Sequence, residues 1–154
     1  MEAYFRKNFV RSLDSKGRLM LPPEYRDIIS AMSGASGFKL TCYDDKCIVV
    51  YPKLEWAAFA EQLEQLKNPS SALRNFRSVF VGRAEDLELD AQGRVRISQS
   101  MMRYAGLSKD AKLVGLGSKF EIWDMLRFEG LKIDDTARDV AFNELGQSGI
   151  EFSL

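Results

Sequence analysis

The chain has 154 residues, of which 45% are hydrophobic and 29% charged, and its 22 basic and 22 acidic side chains give no net charge. This length and apolar content suffice for an ordinary globular core, and no apolar run approaches the ~20 residues that span a bilayer, which excludes a membrane-spanning class. There is no histidine, and the only cysteines are Cys42 and Cys47, so neither a disulfide framework nor a four-ligand zinc site is expected.

These absences also bear on chemistry and compartment. Without histidine the chain lacks the commonest general base, and we expect no metal and no cofactor. The N-terminus has basic residues but no following apolar block, so no signal peptide is predicted and the cytoplasm is the expected compartment.

The charge is unevenly distributed along the chain. Residues 1–120 hold 19 basic and 14 acidic side chains, whereas residues 121–154 hold three basic and eight acidic ones. Segment 6–18 contains a single acid and five cations: Arg6, Lys7, Arg11, Lys16 and Arg18. Local charge determines whether a phosphate backbone is attracted, so this segment is a candidate nucleic-acid contact. A plain solvated surface is the alternative.

The first elements in chain order form a predicted β-hairpin. Residues 9–13 are the entering strand, 14–18 the turn and 19–21 the returning strand. Asp14 favours the turn because its side chain can accept hydrogen bonds from nearby amides, and Gly17 supplies a positive φ.

A helix, a second hairpin and two more helices follow. Pro22 and Pro23 favour a helix start. The β-rich runs 38–43 and 47–51 predict the second hairpin, and Ser70 is a predicted N-cap between two later helices.

The second half of the chain repeats this order. Residues 87–89 and 95–97 are predicted strands around a turn at 90–94, and Ser98 is expected to cap a helix that ends at Gly106. A hairpin around Gly117 and a helical run come next. The acidic end carries one short helix predicted over 136–145.

The turn motif itself occurs twice with a constant offset of 76 residues. Leu13, Asp14, Gly17 and Arg18 recur as Leu89, Asp90, Gly93 and Arg94. Such an internal repeat decides the architecture, and it allows either one full domain or two thin half-domains. The expected parts are a first repeat at 5–54, a helical connector at 55–80, a second repeat at 81–127 and an acidic tail at 128–154.

Two D-x-x-G-R turns at this spacing resemble the MraZ family of bacterial transcriptional regulators. The supporting stretches are SLDSKGRLMLP, CIVVYPKLEW, LDAQGRVRI, YAGL and KFEIW, so the resemblance covers about residues 5–128. It implies an α+β, β-rich fold of two tandem AbrB-like swapped-hairpin β-barrel repeats with connecting helices. It also implies a homo-oligomeric ring that binds double-stranded DNA with direct repeats, upstream of a cell-division and cell-wall gene cluster. We expect repression and association with the nucleoid.

The resemblance places both turns at the family's DNA-binding positions, and the residue chemistry agrees. Arginine presents a planar fork of donors that suits phosphate or a guanine edge, and a two-stranded ribbon fits the major groove. The predicted DNA-binding residues are Arg18, Arg94, Lys16, Arg11, Lys7 and Arg6. The residues predicted to organise the loops are Asp14, Gly17, Asp90 and Gly93.

The two copies are not equivalent. Lys16 is matched by Gln92, and the prolines after the first return strand are matched by Ser98 and Gln99. We therefore expect the first loop to make most of the DNA contact.

Three other interpretations remain open for the motif. The turns could be closed by a salt bridge with no further role, since D-x-x-G is a common turn signature. Asp14 and Asp90 could form a catalytic acid pair, but each precedes an arginine that should keep it ionised, so no enzyme is expected. The chain could also be an antitoxin-like protein-interaction module, although such antitoxins usually carry one barrel and a long tail.

Overall fold

The computed structural model describes residues 4–33 and 37–150. Its strands are β1 (Asn8–Ser12), β2 (Arg18–Met20), β3 (Phe38–Thr41), β4 (Cys47–Pro52), β5 (Glu85–Asp86), β6 (Arg94–Arg96), β7 (Asp110–Gly115) and β8 (Phe120–Asp124). Its helices are α1 (Pro23–Ser33), α2 (Lys53–Glu64), α3 (Ser71–Gly82), α4 (Gln99–Ala105), α5 (Met125–Glu129) and α6 (Asp135–Gln147). The predicted α+β class and the repeated element order are confirmed.

The two repeats exchange their first strands within one antiparallel sheet. Its order is β1-β7-β8-β4-β3-β5, so β1 pairs with the second repeat's hairpin and β5 with the first repeat's hairpin. The two hairpins meet at the centre, where β4 pairs with β8. Each strand has its counterpart at the same distance from the other end of the sheet: β1 matches β5, β7 matches β3 and β8 matches β4. The two halves are therefore related by a pseudo-two-fold axis.

The exchange of strands agrees with the predicted swapped-hairpin repeats, and the barrel is not closed. β1 and β5 lie at the two ends of the six-stranded sheet, and β2 and β6 pair with each other in a separate antiparallel ribbon. Among the described residues, one bridge links the segment after β1 to the ribbon, Leu13 to Leu19, and one links the segment after β5, Leu89 to Val95. One bridge on each side does not continue a hydrogen-bonded ladder, and the sheet stays open.

The main core lies between the sheet, the β2–β6 ribbon and helices α1 and α4. Four aromatic side chains that are almost fully buried, Phe5, Tyr25, Phe38 and Phe120, form its centre. The ring centroids of Phe5 and Phe120 are 4.7 Å apart, and such a pair contributes about 0.5–1.5 kcal/mol beyond its area burial. The Tyr25 hydroxyl donates to the Lys7 carbonyl at 3.0 Å, which satisfies its polar end.

A second aromatic cluster joins α2 and α3 to the sheet. Phe80 is buried and its ring lies within 6.1 Å of the Trp56, Phe59 and Phe76 rings. These aromatic side chains therefore pack the two helices against each other and onto the sheet. Both predicted caps are confirmed, since the Ser70 and Ser98 hydroxyls accept hydrogen bonds from the amides of Leu73 and Met101.

Two predicted elements differ in their limits. β5 lies at Glu85–Asp86 instead of 87–89, because these two residues pair with β3, whereas Leu89 bridges Val95 of the ribbon. α6 is longer than predicted, since the Asp134 side chain accepts from the Ala137 amide and caps it. Its side chains are almost all exposed, and residues 151–154 of the predicted acidic tail lie outside the described residues.

Two further observations concern residues 4–33 and 37–150. No helix there combines the length and apolar character that crossing a bilayer requires. Within the same residues, no group of three His, Cys, Asp or Glu side chains is placed to hold a metal ion. Cys42 and Cys47 are both buried and free.

Candidate nucleic-acid interface

The first loop is closed entirely by its aspartate. One Asp14 carboxylate oxygen accepts from the amides of Lys16 at 2.9 Å and Arg18 at 2.8 Å. The other oxygen accepts from Arg18 Nε at 2.6 Å, which makes an ion pair about one-third exposed on both sides. Two backbone hydrogen bonds, from Asp14 to Arg18 and from Gly17 to Asp14, complete the turn. These contacts are the ones that a residue organising the loop, as predicted for Asp14, would make.

The second loop reproduces the same pattern with one addition. Asp90 accepts from the amides of Gln92 and Arg94, both at 2.9 Å, and from Arg94 Nε at 2.8 Å. A terminal nitrogen of Arg94 also donates to the Gln92 side-chain oxygen at 2.7 Å. The second arginine is therefore bound within its own loop by two side chains, whereas the first is bound by one.

The pKa of each loop aspartate is lowered by the hydrogen bonds that it accepts. The Arg18 amide and the Arg18 guanidinium lower the pKa of Asp14 from 3.8 to about 2, although partial desolvation opposes them. The pKa of Asp90 is likewise lowered, first by the amide of Arg94. Neither carboxyl is protonated at neutral pH, so neither can serve there as a general acid.

Pairing of β2 with β6 brings the two loops onto one surface. Leu19 lies opposite Val95, and both side chains are buried in the core. Side chains alternate along a strand, so the neighbouring residues of both strands face outward. These outward residues are Arg18 opposite Arg96 and Met20 opposite Arg94. The outer face of the ribbon thus carries three arginines, and neither strand contains an acid.

Each loop glycine is required by its surroundings. Gly17 has φ +76°, and a Cβ there would lie 2.5 Å from the Ile97 carbonyl oxygen of the second repeat. Gly93 has φ +79°, and its Cβ would lie 2.3 Å from Arg26 Cδ in α1 of the first repeat. Each loop therefore packs against the other repeat, just as each repeat's first strand pairs with the other repeat's hairpin.

The four predicted flanking residues separate into two groups. Lys16 is exposed at the tip of the first loop, and Arg11 is half-buried in β1, where it bonds the Val10 carbonyl and lies over the Phe9 ring. Lys7 and Arg6 precede β1, so a five-residue strand of about 16 Å separates them from the loop. Lys7 instead pairs with Glu24 at 3.6 Å, and Arg6 lies over the Tyr4 ring.

Arg96 was not among the predicted DNA-binding residues. Its signal was partly present, because Arg96 lies in the predicted strand 95–97 and alternation along that strand puts it on the face opposite its apolar neighbours. What could not be predicted is the partner of that strand. Pairing with β2 is what brings Arg96 opposite Arg18.

Comparisons with known proteins agree with this fold. A model of the MraZ protein family, whose description includes the term antitoxin-like, matches residues 5–77 and 80–140. A protein named Transcriptional regulator MraZ from Nitratidesulfovibrio vulgaris strain Miyazaki F is 52% identical over 150 residues, which is 97% of this chain and 99% of that protein. The protein of the same name from strain Hildenborough is 49% identical over 148 residues, 96% and 97% of the two chains.

The similarity extends to more distant bacteria. A Transcriptional regulator MraZ from Acidovorax sp. strain JS42 is 44% identical over 118 residues, which is 77% of this chain and 80% of that protein. The family model covers both repeats, and the relatives match along most of their own length. The chain belongs to the MraZ family.

Proposed function

We propose that the chain is a DNA-binding transcriptional regulator that contacts double-stranded DNA with the outer face of the β2–β6 ribbon and its two loops. The observation that carries this proposal is the row of three arginines, Arg18, Arg94 and Arg96, on one exposed face. A two-stranded ribbon has dimensions that the major groove admits, and arginine is the commonest reader of guanine there. The relatives named as transcriptional regulators support the same conclusion.

The aspartates have a positioning role in this proposal. Asp14 and Asp90 hold the Nε of their arginines and leave terminal guanidinium nitrogens to reach a base or phosphate. An arginine held in one orientation before binding loses less conformational entropy on binding. The carboxylates themselves make no direct contribution to DNA affinity.

The first loop makes the larger contribution to binding. Lys16 and Arg96 both accompany Arg18 at that end of the ribbon, whereas Met20 lies opposite Arg94. The second arginine also donates to Gln92, which occupies one of its terminal nitrogens. For these reasons Arg18→Ala is expected to weaken binding more than Arg94→Ala.

Oligomerisation belongs to the proposed mechanism. One copy with a few phosphate contacts binds weakly, on the order of 10⁻⁴ to 10⁻⁶ M without base reading. A homo-oligomeric ring that presents several ribbons to directly repeated sites gains ~10²–10⁴ in avidity. Exposed apolar side chains on the α2–α3 hairpin, Leu54, Phe59 and Leu66, support self-association. The proposed setting is repression of a cell-division and cell-wall gene cluster at the nucleoid.

An antitoxin-like interaction is the second candidate. The family description carries that term, and the same exposed apolar side chains, on α2 and directly after it, offer a surface for a protein partner. Purification from the native host distinguishes the two candidates. A small protein recovered in equal amount with this chain, whether or not DNA is present, would favour the second.

A binding titration tests the main proposal. Arg18→Ala is expected to weaken binding to duplex DNA about tenfold or more, because a bidentate arginine contact is worth about 1–3 kcal/mol. Arg77→Ala removes an exposed cation from α3, outside the ribbon, and is expected to bind as the wild type does. The affinity is also measured for DNA with one to four repeats, because a ring that presents several ribbons is expected to bind more tightly as repeats are added. Hydrolysis of any substrate that Asp14→Asn abolished would contradict the proposal.

A further inference from the structure

Arg26 is placed against the second loop by the exchange between repeats. It belongs to α1 of the first repeat, yet a Cβ built on Gly93 would lie 2.8 Å from its Nη1 and 3.2 Å from its Nε. The offset of 76 makes Met102 its equivalent in α4, and Met102 Sδ lies 3.3 Å from a Cβ built on Gly17. Arginine and methionine therefore occupy matching positions over the two loop glycines.

Packing alone does not explain an arginine at this position. Arg26 Nε is buried and has no hydrogen-bond partner among the described residues, and no ion pair of Arg26 is found in that part of the chain. A buried donor without a partner costs about 1–3 kcal/mol. Met102 shows that an uncharged side chain of similar length fills the corresponding space. The Arg26 guanidinium, which has no anionic partner among the described residues, is therefore available to an anionic ligand.

The ligand must be anionic and must lie beside the second loop. That loop has Gln92 where the first has Lys16, so its only other cation is the Asp90-bound Arg94. The Arg26 side chain lies against the backbone at Gly93, next to Arg94 in the loop, rather than at the loop tip. A side chain in that place is suited to the phosphates at the edge of a groove and not to the base edges within it.

We propose that Arg26 binds a DNA backbone phosphate next to the second loop and so replaces the cation that this loop lacks. The inference rests on the proposed function, because it requires that the ribbon faces DNA. It gives each loop one phosphate-binding cation beside its aspartate-bound arginine, Lys16 in the first loop and Arg26 in the second. The second of these comes from the opposite repeat.

The test uses the full-length protein and two substitutions at one position. Arg26→Met copies the packing of Met102 without the charge, and Arg26→Lys keeps the charge. Dissociation constants are measured for a duplex selected from random sequence by the wild-type protein and for an unrelated duplex, each over a range of salt concentrations. Arg77→Met on α3 removes one exposed charge outside the ribbon and its loops and is the control.

Arg26→Met is expected to weaken binding to both duplexes about tenfold and to reduce the slope of log K against log salt by about one. Arg26→Lys is expected to keep the slope, and Arg77→Met to match the wild type. A folded Arg26→Met protein with wild-type affinity and slope would overturn the inference, as would an equal loss in Arg77→Met. If Arg18→Ala and Arg94→Ala weaken binding while Arg26→Met does not, the inference alone fails. If none of the three weakens binding, the proposed function fails as well.

Discussion

Asp14 and Asp90 each close a five-residue loop with bonds to two backbone amides and one guanidinium, and this local chemistry was predictable. Aspartate followed by glycine three residues later is a turn pattern, and the arginine after it lies within reach across the turn. What each glycine touches was not predictable. Ile97 lies against the first glycine and Arg26 against the second, and both contacts join residues distant in sequence.

The two glycines give a matched prediction at this scale. Gly17→Ala is expected to destabilise the fold by about 1–3 kcal/mol. The alanine would have to adopt a positive φ, and its Cβ would clash with the Ile97 carbonyl oxygen. Gly93→Ala has the same φ penalty but meets only the flexible end of the Arg26 side chain, so we expect a smaller loss. Urea denaturation of both variants measures the difference. A larger loss for Gly93→Ala would mean that the first loop does not pack against the second repeat as described.

The aspartates also give a pH prediction. The pKa of Asp14 is about 2 in the folded chain and 3.8 is its ordinary value, so the ionised form stabilises the loop at pH values above 3.8. That stabilisation is lost as the pH falls from 3.8 through 2. We expect the Asp14 carboxyl carbon to titrate near 2 in an NMR experiment. A midpoint near 3.8 would show that the hydrogen bonds from Arg18 do not persist in solution.

At the scale of elements, strand positions and helix caps followed from the sequence, but strand pairing did not. Alternation and turn residues identify a hairpin, and serines before helices identify caps, because those signals are local. Pairing of β2 with β6 joins residues about 76 apart, and no local pattern specifies it. The consequence is functional, since this pairing creates the arginine face. β5 shifted for a related reason, because its position is set by β3.

Arg96 provides the prediction for the ribbon as an element. Arg96→Ala is expected to weaken DNA binding about tenfold, since the side chain lies opposite Arg18 on the outer face. The loss of one phosphate contact would also lower the salt slope by about one. Arg77→Ala on α3 is the matched control, because it removes the same exposed charge away from the ribbon. Equal affinity for both variants would place Arg96 outside the interface.

For the whole molecule, the central fact is that neither repeat completes a sheet alone. β1 needs β7, and β5 needs β3, so each half supplies edge strands to the other. The sequence allowed either one domain or two half-domains, and the exchange of strands favours a single cooperative unit. The predicted boundaries at 5–54 and 81–127 describe repeats in sequence and stay a prediction as structural domains. The two loops add to this interdependence, because Gly17 packs against Ile97 of the second repeat and Gly93 against Arg26 of the first.

Separated halves test this interdependence. Residues 1–80 and 81–154, produced as two chains, are each expected to lack stable tertiary structure as monomers, because each leaves its hairpin without the exchanged strand. Mixed in equal amounts, they are expected to form a heterodimer with the circular dichroism and unfolding profile of the full chain. Size-exclusion chromatography measures the assembly. Two halves that each fold as stable monomers would contradict the shared sheet.

The most direct test of the account is the DNA affinity of the double variant Arg18→Ala/Arg94→Ala, measured against duplex DNA over a range of salt concentrations. If the outer face of the ribbon binds DNA, the double variant loses more than either single change. Its salt slope falls by about two, because two cationic contacts are removed. Circular dichroism establishes that the variant is folded. A folded double variant with the affinity and salt slope of the wild type would contradict the account, because DNA would then have to bind elsewhere.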